Sequence, residues 1–461
     1  MLERRDTMTA DSTETPATPR ASWTDALAVY LKRRVLIIFL LGFSGGLPIV
    51  LVGSTLQAWM KLDGIDIKII GLATAVALPY NLKVLWSPLV DATDVPILTR
   101  LLGRRRGWLL ASQIFLMATI VCLGLCDPAV SVPLVMTGAV LVATASATQD
   151  IVIDAFRVES LSESEQAAGM AAYVAAYRIG SLIAGAGALL LVAALEARGL
   201  ANSAAWTACY VVMAALVLIG VIGTLLAKEP ESSAAVEAGH ARTAAQSALR
   251  RALRAAIDSF KDFLSRDLAV GALVFVVLFK LADALAFALL TPFVLDLGFS
   301  LTQVATIRNG IGFAAALIGG FVGGFIARAL PLSTSLWIGG ILQAVMVLAF
   351  SWQAVIGQNL SLLAVTTTIE SFSDAVGTVI FVAYLSALCR NPLYTATQFA
   401  LLTALAALGR NVFSLGTGYI EHATGWPWYF VICVLAGLPG LALLAWLQRH
   451  GHFDRLMQEK A

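Results

Sequence analysis

Apolar runs close to the length of a membrane-crossing helix recur along the whole 461-residue chain, roughly 20 residues being needed to cross the hydrocarbon core. Twelve such spans are predicted, at 35–60, 67–90, 107–126, 131–156, 167–195, 204–227, 268–295, 302–327, 335–356, 361–388, 396–420 and 428–447. Their apolar pattern is interrupted by charges. Lys83, Arg178, Lys280, Arg308 and Arg410 stand within them, balanced by Asp150, Asp154, Asp283, Glu370 and Asp374. A charge at the bilayer centre costs about 2.5–3.5 kcal/mol on insertion scales, so such groups pair with one another and line the path of a solute or ion. The pattern predicts an all-α membrane protein with a wet interior.

The longest break, 228–267, has six spans on each side. It divides the chain into a tail (1–34), a six-helix bundle (35–227), a linker (228–267), a second six-helix bundle (268–447) and a closing tail (448–461). In the linker Leu249, Leu253, Ile257, Phe260 and Leu264 recur at helical spacing, with Arg250, Arg251, Arg254 and Lys261 on other faces. The spacing predicts either an amphipathic helix on the inner leaflet or a solvated linker helix. Trp23, Leu27 and Leu31, ahead of Lys32, Arg33 and Arg34, predict a second short amphipathic helix. The polar start through Arg20 lacks the apolar core of a signal peptide and is expected to be a cytoplasmic tail.

The halves repeat one another. LDGIDIKIIG (62–71) and LDLGFSLTQVA (295–305) each turn at a glycine and then present a cap, Asp66 or Ser300, the latter with capping-box spacing to Gln303. Asp150 opens DIVIDAFRV in the fourth span and Asp374 opens DAVGTVIFV in the tenth, while Gly185/Gly187 and Gly416/Gly418 mark the fifth and eleventh. Three weak matches in the same order predict a duplicated bundle with its site on the pseudo-twofold axis, as in major facilitator transporters.

Composition agrees: 59% of residues are hydrophobic and 13% charged, against about 25% charged in a soluble domain. Lys61, Lys68 and Arg198 are the only basic residues expected outside, five lie within spans, and the rest of the 31 Lys and Arg fall on the side of the termini. That asymmetry predicts both ends in the cytoplasm of a bacterial inner membrane. Cys122, Cys126, Cys209, Cys389 and Cys433 form no CxxC pair and suggest neither disulfide nor metal site. The four histidines lie in loops or the tail, and no ATP-binding loop or repeated selectivity filter is present. An enzyme or channel is disfavoured, and a secondary carrier without a cofactor, driven by an ion gradient, is expected. Its partners would be a small solute and lipid, with no nucleic acid, and a monomer is expected.

Several residues are candidates for that chemistry. Asp150 and Asp154, like Glu370 and Asp374, are four apart on one helical face, and either carry a proton or pair structurally with Arg178, Lys83 or Arg410. Lys280 and Asp283, three apart, neutralise each other, and Arg308, near an outer helix end, snorkels to the interface. Gly42 to Pro48 (GFSGGLP) and Pro79 form either a flexible cavity wall or close helix packing. The loop 87–108, SPLVDATDVPILTRLLGRRRGW, resembles the major facilitator signature at this place. The resemblance implies that Asp91 and Arg104, Arg105 and Arg106 belong to a cytoplasmic gate, with Arg157 as the partner of Asp91; the alternative is that the arginines only set topology.

More of the chain resembles one branch of that superfamily, the AmpG muropeptide permeases. The resemblance rests on GFSGGLP (42–48), TLQAWM (55–60), KVLWSP (83–88), GRRRGWLLASQ (103–113), ATQDIVIDAF (147–156), AYRIG (176–180), FKLADALA (279–286) and ATQFALL (396–402). It implies proton-coupled import of anhydro-muropeptides, cell-wall turnover fragments. Longer members carry further C-terminal hydrophobic segments that do not follow His450 here, and Glu370 is followed by Ser371 and Asp374 where the family has Asn and small residues. An amino-sugar disaccharide bearing an anionic peptide needs stacking aromatics and cations. Trp59, Tyr80, Trp86, Tyr173 and Tyr177 are candidates for the first, each with core packing or interface anchoring as the alternative, Lys83 and Arg178 for the second, and Gln57 of the TLQAWM motif joins them as a polar contact. Import of a siderophore or another small periplasmic solute is the alternative.

Overall fold

The computed structural model describes residues 29–230, 264, 267–389 and 395–458. Both predicted amphipathic helices fall almost wholly outside the described residues. Among the described residues ten helices are long and apolar enough to cross a membrane: Arg33–Leu62, Arg104–Leu125, Val132–Ser160, Ala168–Ala197, Asn202–Leu226, Ala269–Asp296, Leu301–Ala329, Leu332–Ile356, Leu360–Leu388 and Thr417–Arg449. The shorter apolar helices Ile67–Leu82 and Leu401–Ser414 occupy the places of the second and eleventh predicted spans. The second span is interrupted because Pro79 has no N–H to donate, and 3-10 turns at Ala73–Ala77 and Lys83–Leu85 flank the short helix it begins. The twelfth starts earlier than predicted, at Thr417, and bends at Gly425, whose φ of 73° only glycine adopts readily. Both predicted caps form. Asp66 accepts from the Lys68 N–H, and Ser300 and Gln303 complete a capping box.

Large side chains such as Phe321, Phe325 and Leu134 are exposed on the outside of the bundle, as a lipid-facing surface requires. Packing is asymmetric along the bundle axis. At the end away from the termini, one continuous apolar cluster takes in Trp59, Trp206 and Tyr210 from the first half together with Phe293, Phe350 and Phe430 from the second. At the terminal end each half has its own cluster, around Ile38, Leu109 and Phe156 in the first and Phe275, Tyr384 and Leu444 in the second. The halves are therefore joined at the far end.

Three π-helical turns, Leu51–Thr55, Ile183–Gly187 and Ala305–Ile311, interrupt the first, fifth and eighth spans and pack against each other in sequence. A π-turn frees backbone carbonyls. One of them, Ala184, is taken up by the Thr55 hydroxyl at 2.7 Å.

Candidate functional site

Between the halves lie two adjoining chambers. The larger, about 680 Å³, is bordered by the first, fourth, fifth, seventh, eighth and tenth spans. The smaller, about 420 Å³, reaches toward the far end between the first, second, seventh, eighth, tenth and eleventh. Ser54, Phe287, Arg308 and Asp374 border both. Ser54 and Arg308 sit on π-turns, so the irregular backbone re-aims side chains into the interior.

On the first-half wall, Asp150 is buried and borders the larger chamber, its Oδ2 4.0 Å from the Lys83 ammonium. Its other oxygen lies beside Gly45, where a Cβ would stand 3.4 Å away in ordinary contact, and accepts no hydrogen bond. Tyr173 and Tyr177 border the same chamber with ring centroids 6.0 Å apart. They are placed there by the glycine run of the first span. A Cβ on Gly46 would stand 2.0 Å from the Tyr177 carbonyl oxygen, and the Ser181 hydroxyl donates to the Gly46 carbonyl at 2.9 Å. The glycines thus serve close helix packing. Arg178 is exposed on the larger chamber, and Tyr80 and Gln57 border the smaller, where Gln57 donates to the Ala288 carbonyl of the second half at 3.0 Å.

Other expected residues are placed elsewhere. Trp59 is fully buried and stacks on Trp206 at 5.5 Å, so it belongs to the far-end core and offers no face to a solute. Trp86 donates to the Thr148 hydroxyl at 3.1 Å and borders neither chamber. Lys83 likewise reaches Asp150 rather than either chamber. Asp154 is half-exposed and pairs with Arg157 at 3.7 Å, one helical turn away, off both chambers.

In the second half Glu370 is buried on the larger chamber and accepts from the Ser371 hydroxyl at 3.0 Å. Lys280 does pair with Asp283, at 3.4 Å, but Asp374 also binds it, and Thr378 accepts from it at 2.9 Å. One lysine thus serves two aspartates. Arg410 borders the smaller chamber. Among the described residues neither Arg178 nor Arg410 makes the expected ion pair within 4 Å. Arg308 does not snorkel. It is aimed inward, its guanidinium 5.0 Å over the Phe287 ring and hydrogen-bonded to the Thr291 hydroxyl. A sequence signal was present: Arg308, Gly312 and Ala316, spaced by four, all border the larger chamber and define one inward face.

The arginine-rich turn knits the first half to itself. Arg105 is buried and forks onto the Glu159 carboxylate of the fourth span at 2.6–3.1 Å. The Arg105 and Arg106 N–H groups, at the start of the third-span helix beginning at Arg104, donate to Glu229. That is a favourable place for an anion. Arg106 closes the sixth span by donating to the Thr224 and Leu225 carbonyls. The Asp91 side chain lies outside the described residues, so its expected pairing with Arg157 does too.

A helical bundle around a charged cavity, lined by spans from both halves, matches a known design. The sequence model of the Major Facilitator Superfamily covers residues 36–388, and the anhydromuropeptide permease of Escherichia coli K12 is 36% identical over 91% of this chain and 80% of its own length. The chain belongs to the AmpG-type permeases of the major facilitator superfamily. It is a transporter of a bacterial permease family, not an enzyme, and a multi-span protein of the inner membrane. Solved structures of the same fold include the nucleoside transporter NupG, with a TM-score of 0.68 at 12% identity over 89% of this chain and 99% of that one. A bacterial homologue of the lysosomal transporter Spinster follows, with 0.61 at 14% over 95% and 98%.

Proposed function

We propose that this permease imports anhydro-muropeptides, an amino-sugar disaccharide with or without its peptide, from periplasm to cytoplasm together with protons. The observation that carries the reading is the cavity itself. One chamber sets paired tyrosines and Phe287 beside Arg178 and two buried carboxylates, and a second, more polar chamber adjoins it. Sugar rings stack on aromatic faces, and cations hold carboxylates. The relative in Escherichia coli, named an anhydromuropeptide permease, supports the substrate class. Import of an anion against an inside-negative potential costs about 2.3 kcal/mol per charge per 100 mV, and a co-transported proton removes that cost. Asp150 and Glu370, buried on opposite walls, are the proton carriers we favour, with Asp374 held by Lys280 as a third acid.

With both termini cytoplasmic, the joined far end faces the periplasm and the cavity opens inward. The halves then rock about the fixed site. The test is uptake of labelled anhydro-muropeptide into right-side-out vesicles, with and without a proton gradient. Gradient-dependent accumulation is expected. Uptake of a siderophore but not of the muropeptide would move the chain to another substrate, and uptake indifferent to the gradient would remove the coupling.

A further inference from the structure

The charges on the chamber walls are unevenly spoken for. Asp374 and Asp283 share Lys280, and Asp150 stands 4.0 Å from Lys83. Among the described residues Glu370 has no cation within 4 Å and Arg308 has no carboxylate within 4 Å. Yet both border the larger chamber, from adjoining helices: a Cβ on Gly312, one turn past Arg308, would lie 2.8 Å from the hydroxyl of Ser371, the neighbour of Glu370. Arg308 is also the cation that borders both chambers. Phe287 beneath its guanidinium and Thr291 at one of its nitrogens hold the fork in place while leaving donors for an incoming anion. Arg178 borders only the larger chamber and Arg410 only the smaller.

We infer that Arg308 anchors a carboxylate of the peptide part of the substrate at the junction of the chambers, and that Glu370 competes with that carboxylate for it. Resting on the muropeptide reading above, this divides the ligand: the disaccharide lies against Tyr173, Tyr177 and Phe287 in the larger chamber, and the peptide extends into the smaller one toward Arg410. An ionised Glu370 neutralises part of the field of Arg308 and repels the incoming carboxylate. A proton on Glu370 removes both effects, so the peptide-bearing ligand and a proton favour each other's binding. Two opposite charges bordering one chamber give this sign of coupling by electrostatics alone.

The experiment measures binding of the disaccharide, its muramic acid carboxyl blocked as the amide so that it carries no carboxylate, and of the disaccharide-peptide to the full-length reconstituted protein at two pH values. For the native protein the peptide-bearing ligand should bind more tightly at the lower pH, and the disaccharide should bind equally at both. Arg308→Ala should weaken the peptide-bearing ligand about ten- to hundredfold, remove its pH dependence and leave the disaccharide within about twofold, which also reports that the variant is folded. Arg308→Lys, which keeps the charge and loses the fork, should fall between. Glu370→Gln should bind the peptide-bearing ligand tightly at both pH values. Equal losses for the two ligands in both Arg308 variants would overturn the assignment, as would an undiminished pH dependence in Glu370→Gln. If the native protein binds neither ligand, the muropeptide reading itself fails and takes this one with it, whereas selective failure of the Arg308 variants leaves that reading standing.

Discussion

The two ends of the bundle are built differently. At the far end the halves touch: Lys61 pairs with Asp296 at 2.5 Å, Trp426 donates to the same carboxylate at 3.1 Å, and Gly71 and Gly418 bring the second and twelfth spans into backbone contact. At the terminal end the described contacts stay inside a half. Arg105 binds Glu159 and Glu229 caps the third span in the first half; Arg455 binds Asp267 and Tyr384 meets His452 in the second. One end is an interface, and at the other the braces described each lie within one half. A transporter that alternates must break the first kind of contact and keep the second, so the difference tells which contacts are state-dependent.

That comparison can be broken most sharply by fixing the far end. Cysteines replacing Lys61 and Asp296, joined by a short reducible cross-linker, should bring transport to background, and reductant should restore it. Transport that survives the link would mean the far end never opens. The amides come next. Asp150→Asn or Glu370→Gln keeps size and hydrogen-bonding capacity but cannot carry a proton, so gradient-driven accumulation should be lost while ligand binding remains. Accumulation that still follows the pH gradient would discard that residue as a carrier. Gly418→Val tests the contact itself. A Cβ there would lie 2.2 Å from the Ile67 carbonyl oxygen, and overpacking of this kind costs about 1–3 kcal/mol. The far-end-closed state should be depleted correspondingly, so that a cysteine at Thr74, on the smaller chamber, reacts faster with an impermeant thiol reagent. An unchanged rate would show that the glycine contact does not hold that end shut.

Most of the fold was legible because apolar length and period survive in any lipid-facing helix. The two caps were legible too, since Asp66 and Ser300 cap helices through local spacing, but the matched glycines fall differently, Gly185 and Gly187 in a π-turn of the fifth span and Gly416 and Gly418 at the start of the twelfth helix rather than in the eleventh. What could not be read was direction within the bundle. Trp59 and Tyr177 look alike as candidates, yet one stacks on Trp206 from a helix over a hundred residues away and the other faces the cavity. Arg308 was misplaced because its nearness to the outer helix end outweighed its four-residue spacing to Gly312 and Ala316, and no residue type marks the π-turn on which it sits. Lys280 sits three residues from Asp283, which made a local pair the economical reading; its second partner, Asp374, comes from another span. Asp91 and the arginines after it carried the family resemblance, but the partners of those arginines, Glu159 and Glu229, follow only from the packing of the fourth and sixth spans.

The smallest expected effect belongs to a brace within one half. Lys32 donates to Glu165 at 2.9 Å, tying the start of the first span to the helix that begins the fifth, and the Ser162 N–H donates to the same carboxylate at 3.2 Å. The Lys32 ammonium, helped by that N–H, holds the Glu165 carboxyl below the usual carboxylate range. A carboxyl depressed in the folded state contributes stability that is complete above its unfolded value, about pH 4.3, and disappears as pH falls through the folded value. Because the Lys32 side chain is 50% exposed, solvent screening limits the contribution to about 1 kcal/mol or less. Glu165→Gln should therefore lower the thermal midpoint slightly and equally at pH 6 and pH 8, with the deficit vanishing in acid, and it should leave transport unchanged. A clear loss of transport with native stability would place the first and fifth spans among the parts that move against each other, and the first half could no longer be treated as one rigid body.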